Sequence, residues 1–134
     1  MNEQPALLRP SILLHIEGLL VLTASCIAYG YWFPHHWLLF ACLLLVPDVS
    51  LLPFVSGPGA GKSAFYNAVH SYILPALLGA LAFYLGHIFL EEASLIWISH
   101  IGMDRMLGFG LKYPTSFKFT HIQSAANPEP LTAK

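Results

Sequence analysis

The sequence predicts an all-α membrane protein: a bundle of four transmembrane helices with both termini in the cytoplasm. Three observations carry this. The composition is too apolar for a water-soluble surface, four apolar stretches have spanning length, and every basic residue falls on one side of those stretches. Of 134 residues, 56% are hydrophobic and only 10% charged, against about a quarter charged in an ordinary soluble domain. The mean hydropathy is +0.62.

The first stretch runs from about Ser11 to Gly30, and the second from Trp37 to Val55, interrupted by Pro47, Asp48 and Pro53. The third runs from Ala64 to Leu90 and the fourth from Ala93 to Phe109. A helix rising about 1.5 Å per residue crosses a hydrocarbon core of about 30 Å in about 20 residues, so each is a candidate span. Between them lie turn material from Tyr31 to His36, a Gly/Pro-rich loop from Ser56 to Ser63, and the acidic pair Glu91 and Glu92, expected in a solvated loop. Residues 1–122 form one four-span domain on this reading, and 123–134, with Asn127-Pro128-Glu129-Pro130, a disordered polar tail. Arg9 and the run ending Val21-Leu22-Thr23-Ala24-Ser25-Cys26 have some likeness to a lipoprotein signal. Thr23 stands where an aliphatic residue is usual, and His15 and Glu17 interrupt the apolar region, so the stretch is expected to remain as a span.

With four spans, Arg9, Lys62, Arg105, Lys112, Lys118 and Lys134 all lie on or near one side, and the opposite loops contain none. Positive residues stay on the cytoplasmic side, which orients the bundle. An odd number of spans would scatter them.

Ionisable side chains at membrane depth are costly and mark function or specific pairing. Glu17, Asp48, His70, His100 and Asp104 all fall in the half of the bilayer on the basic side, at least one from each span. His100 and Asp104, four apart, share a helix face, as do Asn67 and His70, three apart. Side chains at one depth on four helices can meet in the bundle core, as in carboxylate–histidine metal sites. His, Asp and Glu suit Zn, Mn or Fe. His121, after the Lys112-Tyr113-Pro114 turn, is on the correct side to approach the rim. Each residue alone could instead be an interhelical hydrogen-bond partner, and Asp104 could pair with Arg105 at the interface. Cys26 and Cys42 lie in apolar runs without CxxC spacing and read as small buried hydrophobes.

Other signals carry less. Ser56-Gly57-Pro58-Gly59-Ala60-Gly61-Lys62-Ser63 resembles a phosphate-binding loop, but Ser56 holds the position of the first glycine and no strand-and-helix context surrounds it. His35, His36 and His87 fall near the opposite interface with Trp32, Trp37 and Tyr84. Nothing favours nucleic acid as a partner, since no basic cluster is present.

Pro47-Asp48-Val49-Ser50, Asn67-Ala68-Val69-His70-Ser71 and the run from Ser99 to Pro114 (SHIGMDRMLGFGLKYP) resemble the uncharacterised bacterial membrane family called domain of unknown function 4260. That resemblance implies a multi-pass protein of the bacterial inner (cytoplasmic) membrane. More distantly, the chain is similar to the LexA-regulated membrane-bound metal-dependent hydrolases, which carry PD-x-D, HRG-x-THS and SH-x-x-x-D segments. Asp48 matches the first Asp, His70 the His of THS, and His100 with Asp104 the last pair. Ser50 replaces the second Asp, and Phe65, Tyr66 and Asn67 replace the HRG triplet, so two ligands of that pattern are lost. Glu17 or His121 would have to compensate.

Three functions stay open at this point. The leading one is a metal-dependent hydrolase of a lipid-like ester or phosphoester, with Asp48, His70, His100, Asp104 and His121 holding a divalent ion. Glu17 would be its general base and Asn67 its oxyanion donor. The second is a component of proton-coupled transport using the same groups as a relay, assembled as an oligomer if a pore is needed. The third is an accessory membrane protein whose polar core only fixes helix packing. A haem on His70 and His100 is disfavoured by the neighbouring carboxylates.

Overall fold

Pro10 occupies the first turn of α1 (Pro10–Trp32), where a missing N–H is harmless and its fixed φ suits the helix. The computed structural model describes residues 9–114 and 116–126. After α1 come α2 (Trp37–Leu44), a 3-10 segment (Val46–Ser56), α3 (Ala60–Val69), α4 (Ile73–Leu85) and α5 (Ile88–Leu107). A hairpin of β1 (Lys112–Tyr113) and β2 (Ser116–Thr120) and the short α6 (His121–Ala126) follow. The fold is all-α apart from this hairpin. The expected polar tail from 127 onward lies outside the described residues, while 123–126 close α6.

The spine is the antiparallel pair α1–α5. A Cβ on Gly18 would stand 2.5 Å from Arg105 Cβ and from the Met106 nitrogen, and one on Gly102 would stand 2.8 Å from the Leu22 nitrogen. One turn further along, Ser99 Oγ donates to Ser25 Oγ at 2.8 Å. Small residues thus bring the two backbones together where lipid offers no hydrophobic drive for association. α4 repeats the device: a Cβ on Gly79 would meet Ser94 Oγ at 2.5 Å, and that hydroxyl donates to the Pro75 carbonyl at 2.6 Å. At the far end Tyr29, Phe40 and Ile96 form an apolar cluster, with Tyr29 edge-on to Phe40 at 4.8 Å.

Much of the remaining apolar surface faces outward, with Leu20, Ile27, Leu38, Leu52 and Leu77 exposed. Only 11% of the most apolar window of α1 is buried, and 17% of that of Trp37–Ser56. A helix apolar all round yet unburied belongs in lipid. Among the described residues, two helices are long and apolar enough to cross a membrane, or three if α3 and α4, bent by 43°, are one broken span. α5 has comparable length but carries Glu91, Glu92, Asp104 and Arg105.

The sequence boundaries needed correction at α4 and α5. The third stretch does not run to Leu90, because Gly86 in the left-handed region (φ +66°) ends α4 at Leu85. α5 therefore begins at Ile88, and Glu91 and Glu92 lie inside its start rather than in a solvated loop. Glu92 is buried, accepting bonds from Tyr29 Oη at 2.6 Å and His36 Nδ1 at 2.9 Å.

The α1–α5 contact generates a stability prediction. Gly102→Ala forces a methyl into backbone and should cost about 1–3 kcal/mol. Gly61→Ala, whose Cβ would meet nothing within 4 Å, should be neutral or slightly stabilising in a helix. Thermal unfolding in detergent checks this; equal Tm values for the two variants would contradict the close crossing.

Candidate metal centre

Two prolines place half of the site. Pro47 lacks the N–H that would bond the Leu43 carbonyl and clashes with it, so α2 stops at Leu44 and the chain tightens into 3-10 turns. Asp48 sits in the first of these, its N–H bonded to the Leu45 carbonyl at 3.1 Å. Pro75 likewise cannot continue a helix through Ser71, and the chain breaks at His70–Tyr72 between α3 and α4. The break frees carbonyls at the end of α3. α5 satisfies them: Trp97 Nε1 donates to the Val69 carbonyl at 2.7 Å and Arg105 Nη2 to the His70 carbonyl at 3.0 Å. The other half of the site, His100 and Asp104, lies one turn apart on α5 itself.

These four residues converge. One donor atom from each of Asp48, His70, His100 and Asp104 lies within 4.8 Å of the others. His70 Nε2 and His100 Nε2 are 3.2 Å apart. Asp48 Oδ1 stands 3.6 Å from the first and 3.5 Å from the second, and Asp104 Oδ2 stands 3.4 Å from both. A tetrahedral ion with bonds of about 2.0–2.2 Å separates neighbouring ligand atoms by about 3.3–3.6 Å. Five edges of such a tetrahedron are therefore present in the side chains.

The protonation pattern points the same way. His70 Nδ1 lies 3.1 Å from the Tyr66 carbonyl, which can only accept, so the proton is on Nδ1 and the Nε2 lone pair faces the cluster. Tyr66 also stacks on the His70 ring, at 3.9 Å and 14°, and fixes its plane. On His100, Nδ1 is buried near the Leu44 carbonyl without reaching full hydrogen-bond geometry. A lone pair, a second imidazole nitrogen and two carboxylate oxygens meeting at one place form a donor set that could hold a cation. Metal-bound histidines generally donate their other ring N–H to a carbonyl, as His70 does. The side chains of His70, His100 and Asp104 are enclosed, whereas that of Asp48 is 37% exposed and marks the open side.

Glu17, Asn67 and His121, grouped with this set on the sequence alone, are elsewhere. Glu17 is exposed and lines a cavity with Tyr72 and Arg105. Asn67 clamps the hairpin: its Oδ1 accepts the Lys112 N–H at 2.7 Å and its Nδ2 donates to the Lys112 carbonyl at 2.9 Å. His121 Nδ1 accepts the Leu111 N–H at 2.8 Å. Glu17 was grouped by depth, Asn67 by its spacing from His70 and His121 by its side of the bundle; helix azimuth and the hairpin were not visible in any of these. Lys62, of the phosphate-loop-like segment, turns back to Ser56 Oγ at 2.7 Å and the Gly57 carbonyl at 2.8 Å. The supporting roles of Tyr66, Trp97 and Arg105 had no signal beyond Arg105 lying next to Asp104.

Outside the spans, burial pushes the Lys112 ammonium below its usual pKa, opposed by the Asp104 carboxylate. Burial also lowers the His121 imidazole, with the Arg105 charge adding to the effect.

The family described as Domain of unknown function (DUF4260) matches residues 11–125. The chain belongs to this family. The match takes in all four donor residues, the helix breaks that place them, and the hairpin. No curated protein and no solved structure matches the chain. For this DUF4260 member, then, the chemistry rests on its own side chains.

His121 gives a pH prediction. Its folded pKa is lowered, so the neutral form is the folded one. The Leu111–His121 bond is present above the unperturbed value of about 6.5 and is lost as pH falls through the lower folded value. Amide exchange at Leu111, corrected for intrinsic rate, should be slow above the unperturbed value and accelerate on acidification below it; a Leu111 amide already unprotected at neutral pH would count against that bond.

Proposed function

We propose that this protein is a membrane-embedded, metal-dependent hydrolase of a lipid-like ester or phosphoester, with Asp48, His70, His100 and Asp104 holding one divalent ion. The observation that supports it most is the five donor separations of 3.2–3.6 Å. Two nitrogens and two oxygens suit Zn, Mn or Fe.

The reading includes topology. α1, Trp37–Ser56, the bent α3–α4 pair and α5 make four passes of a bacterial cytoplasmic membrane. Arg9, Lys62, Arg105 and Lys112 sit at the end where α1 begins and α5 finishes, which by the positive-inside rule is cytoplasmic. The site then lies in the cytoplasmic half of the bilayer, within reach of a lipid head group.

A divalent ion there would supply Lewis acidity and lower the pKa of a water towards about 7. The chain does the rest. His70, held by the Tyr66 carbonyl and ring, presents Nε2 in one orientation. Asp104 and His100 close the buried side and exclude bulk water. Asp48, the exposed member, keeps its second oxygen for taking up a proton from the attacking water. Beside it, a cavity of about 260 Å³ lined by Val49, Phe65, Val69 and Trp97 suits the hydrocarbon part of a substrate. Glu17 and Asn67 have no part in this step.

Elemental analysis of detergent-purified protein should find about one divalent ion per chain in wild type and in Glu17→Gln, and almost none in His100→Ala. Metal-loaded wild type should hydrolyse a fluorogenic phosphodiester or acyl ester that His100→Ala leaves intact. A folded, metal-free wild type would sink this reading and favour a shared proton between His70 and His100, as in a relay.

A further inference from the structure

A second cavity lies at the opposite end of the bundle from the His/Asp cluster. It measures about 680 Å³ and opens between the end of α1, α4 and the start of α5, within the range of small-molecule sites. From Glu91 to Ile98 on its α5 wall it extends about 10 Å along the bundle at about 1.5 Å per residue. Its deeper wall is small and apolar, with Ala76, Gly79 and Ala80. Its outer rim carries Trp32, Phe33, His36 and Glu91.

The rim carries one carboxylate, with a second buried behind it. Phe33 stacks on His36 at 6.3 Å and 20°, and His36 Nδ1 is held by the buried Glu92 carboxylate at 2.9 Å. Glu92 is thereby matched by His36 and Tyr29. Glu91 is not: among the described residues its carboxylate has no ion pair and no side-chain hydrogen bond. The described Lys and Arg residues all lie at the other end, so none of them neutralises it. Trp32, 63% exposed, lines the same cavity as Glu91.

We infer that this cavity binds one membrane lipid with an ammonium head group, the ammonium between Glu91 and the aromatic rim, the hydrocarbon along Ala76, Gly79 and Ala80. A carboxylate beside aromatic faces is the arrangement that recognises alkylammonium groups. An anionic head group would meet Glu91 and the Glu92 behind it. The apolar shaft, continuous with the exposed lipid-facing surface of Phe83 and Ile88, excludes a fully polar cation as the occupant. The inference is independent of the metal centre.

The test is native mass spectrometry of the full chain released from vesicles of equal parts phosphatidylethanolamine and phosphatidylglycerol. Wild type should retain one ethanolamine lipid in preference to the glycerol lipid. Glu91→Gln, which preserves shape, should reduce that preference about tenfold. Ala80→Trp should fill the shaft and remove retention, while Glu17→Gln should change nothing. Equal retention of both lipids by wild type, an unchanged preference in Glu91→Gln, or a lipid-free dimer that covers the cavity would each overturn the inference.

Discussion

Everything at the basic end of this bundle depends on two imidazole nitrogens 3.2 Å apart with a carboxylate oxygen on either side. The enclosed Asp104 carboxylate, with the partly exposed Asp48 carboxylate beside it, is expensive without a counter-charge, because little solvent is available to stabilise it. Arg105 is adjacent in sequence, yet its guanidinium is committed to the His70 and Phe109 carbonyls. A divalent ion at the centre of the four donors would resolve the repulsion and the facing nitrogens at once, which is why we prefer the metal reading to simple helix pairing.

The backbone makes this convergence possible by ceasing to be helical in two places. Pro47 and Pro75 interrupt helices at the level of the site, where an unbonded carbonyl in lipid would cost several kcal/mol. α5 covers the break between α3 and α4: Trp97 and Arg105 donate to the freed carbonyls of α3. α5 can do this only because it lies close to α1, with Gly18, Gly102, Ser25 and Ser99 removing the side-chain bulk between them. Small residues on the spine, interrupted helices at the site and charged residues on α5 are parts of one solution. They also explain why α5, judged by composition, is the least membrane-like of the long helices.

The helical class and the apolar segments were legible because hydrophobic length is a one-dimensional signal. Depth is one as well, and it brought Asp48, His70, His100 and Asp104 to one level. Azimuth is not. Glu17 is at the right level on the wrong face of α1, and Asn67, three residues from His70, turns to the hairpin instead. The hairpin itself escaped notice because its two strands are short, although Ser116-Phe117-Lys118-Phe119-Thr120 alternates with period two. Glu92 was assigned to a loop because two acids after an apolar run resemble a helix end; the left-handed Gly86 shows that the end comes earlier. Its burial beside Tyr29 and His36 gives the second end of the molecule a chemistry that spacing did not suggest.

The central claim is that one ion is coordinated by two imidazoles and two carboxylates inside the bundle. X-ray absorption at the metal edge, on purified protein without added metal, tests it most directly. The account predicts a five-coordinate shell of nitrogen and oxygen, the four side chains and one water, at about 2.0–2.2 Å with the outer-shell scattering of two imidazoles. A shell of oxygen alone without imidazole scattering, or coordination that includes sulfur, would contradict it.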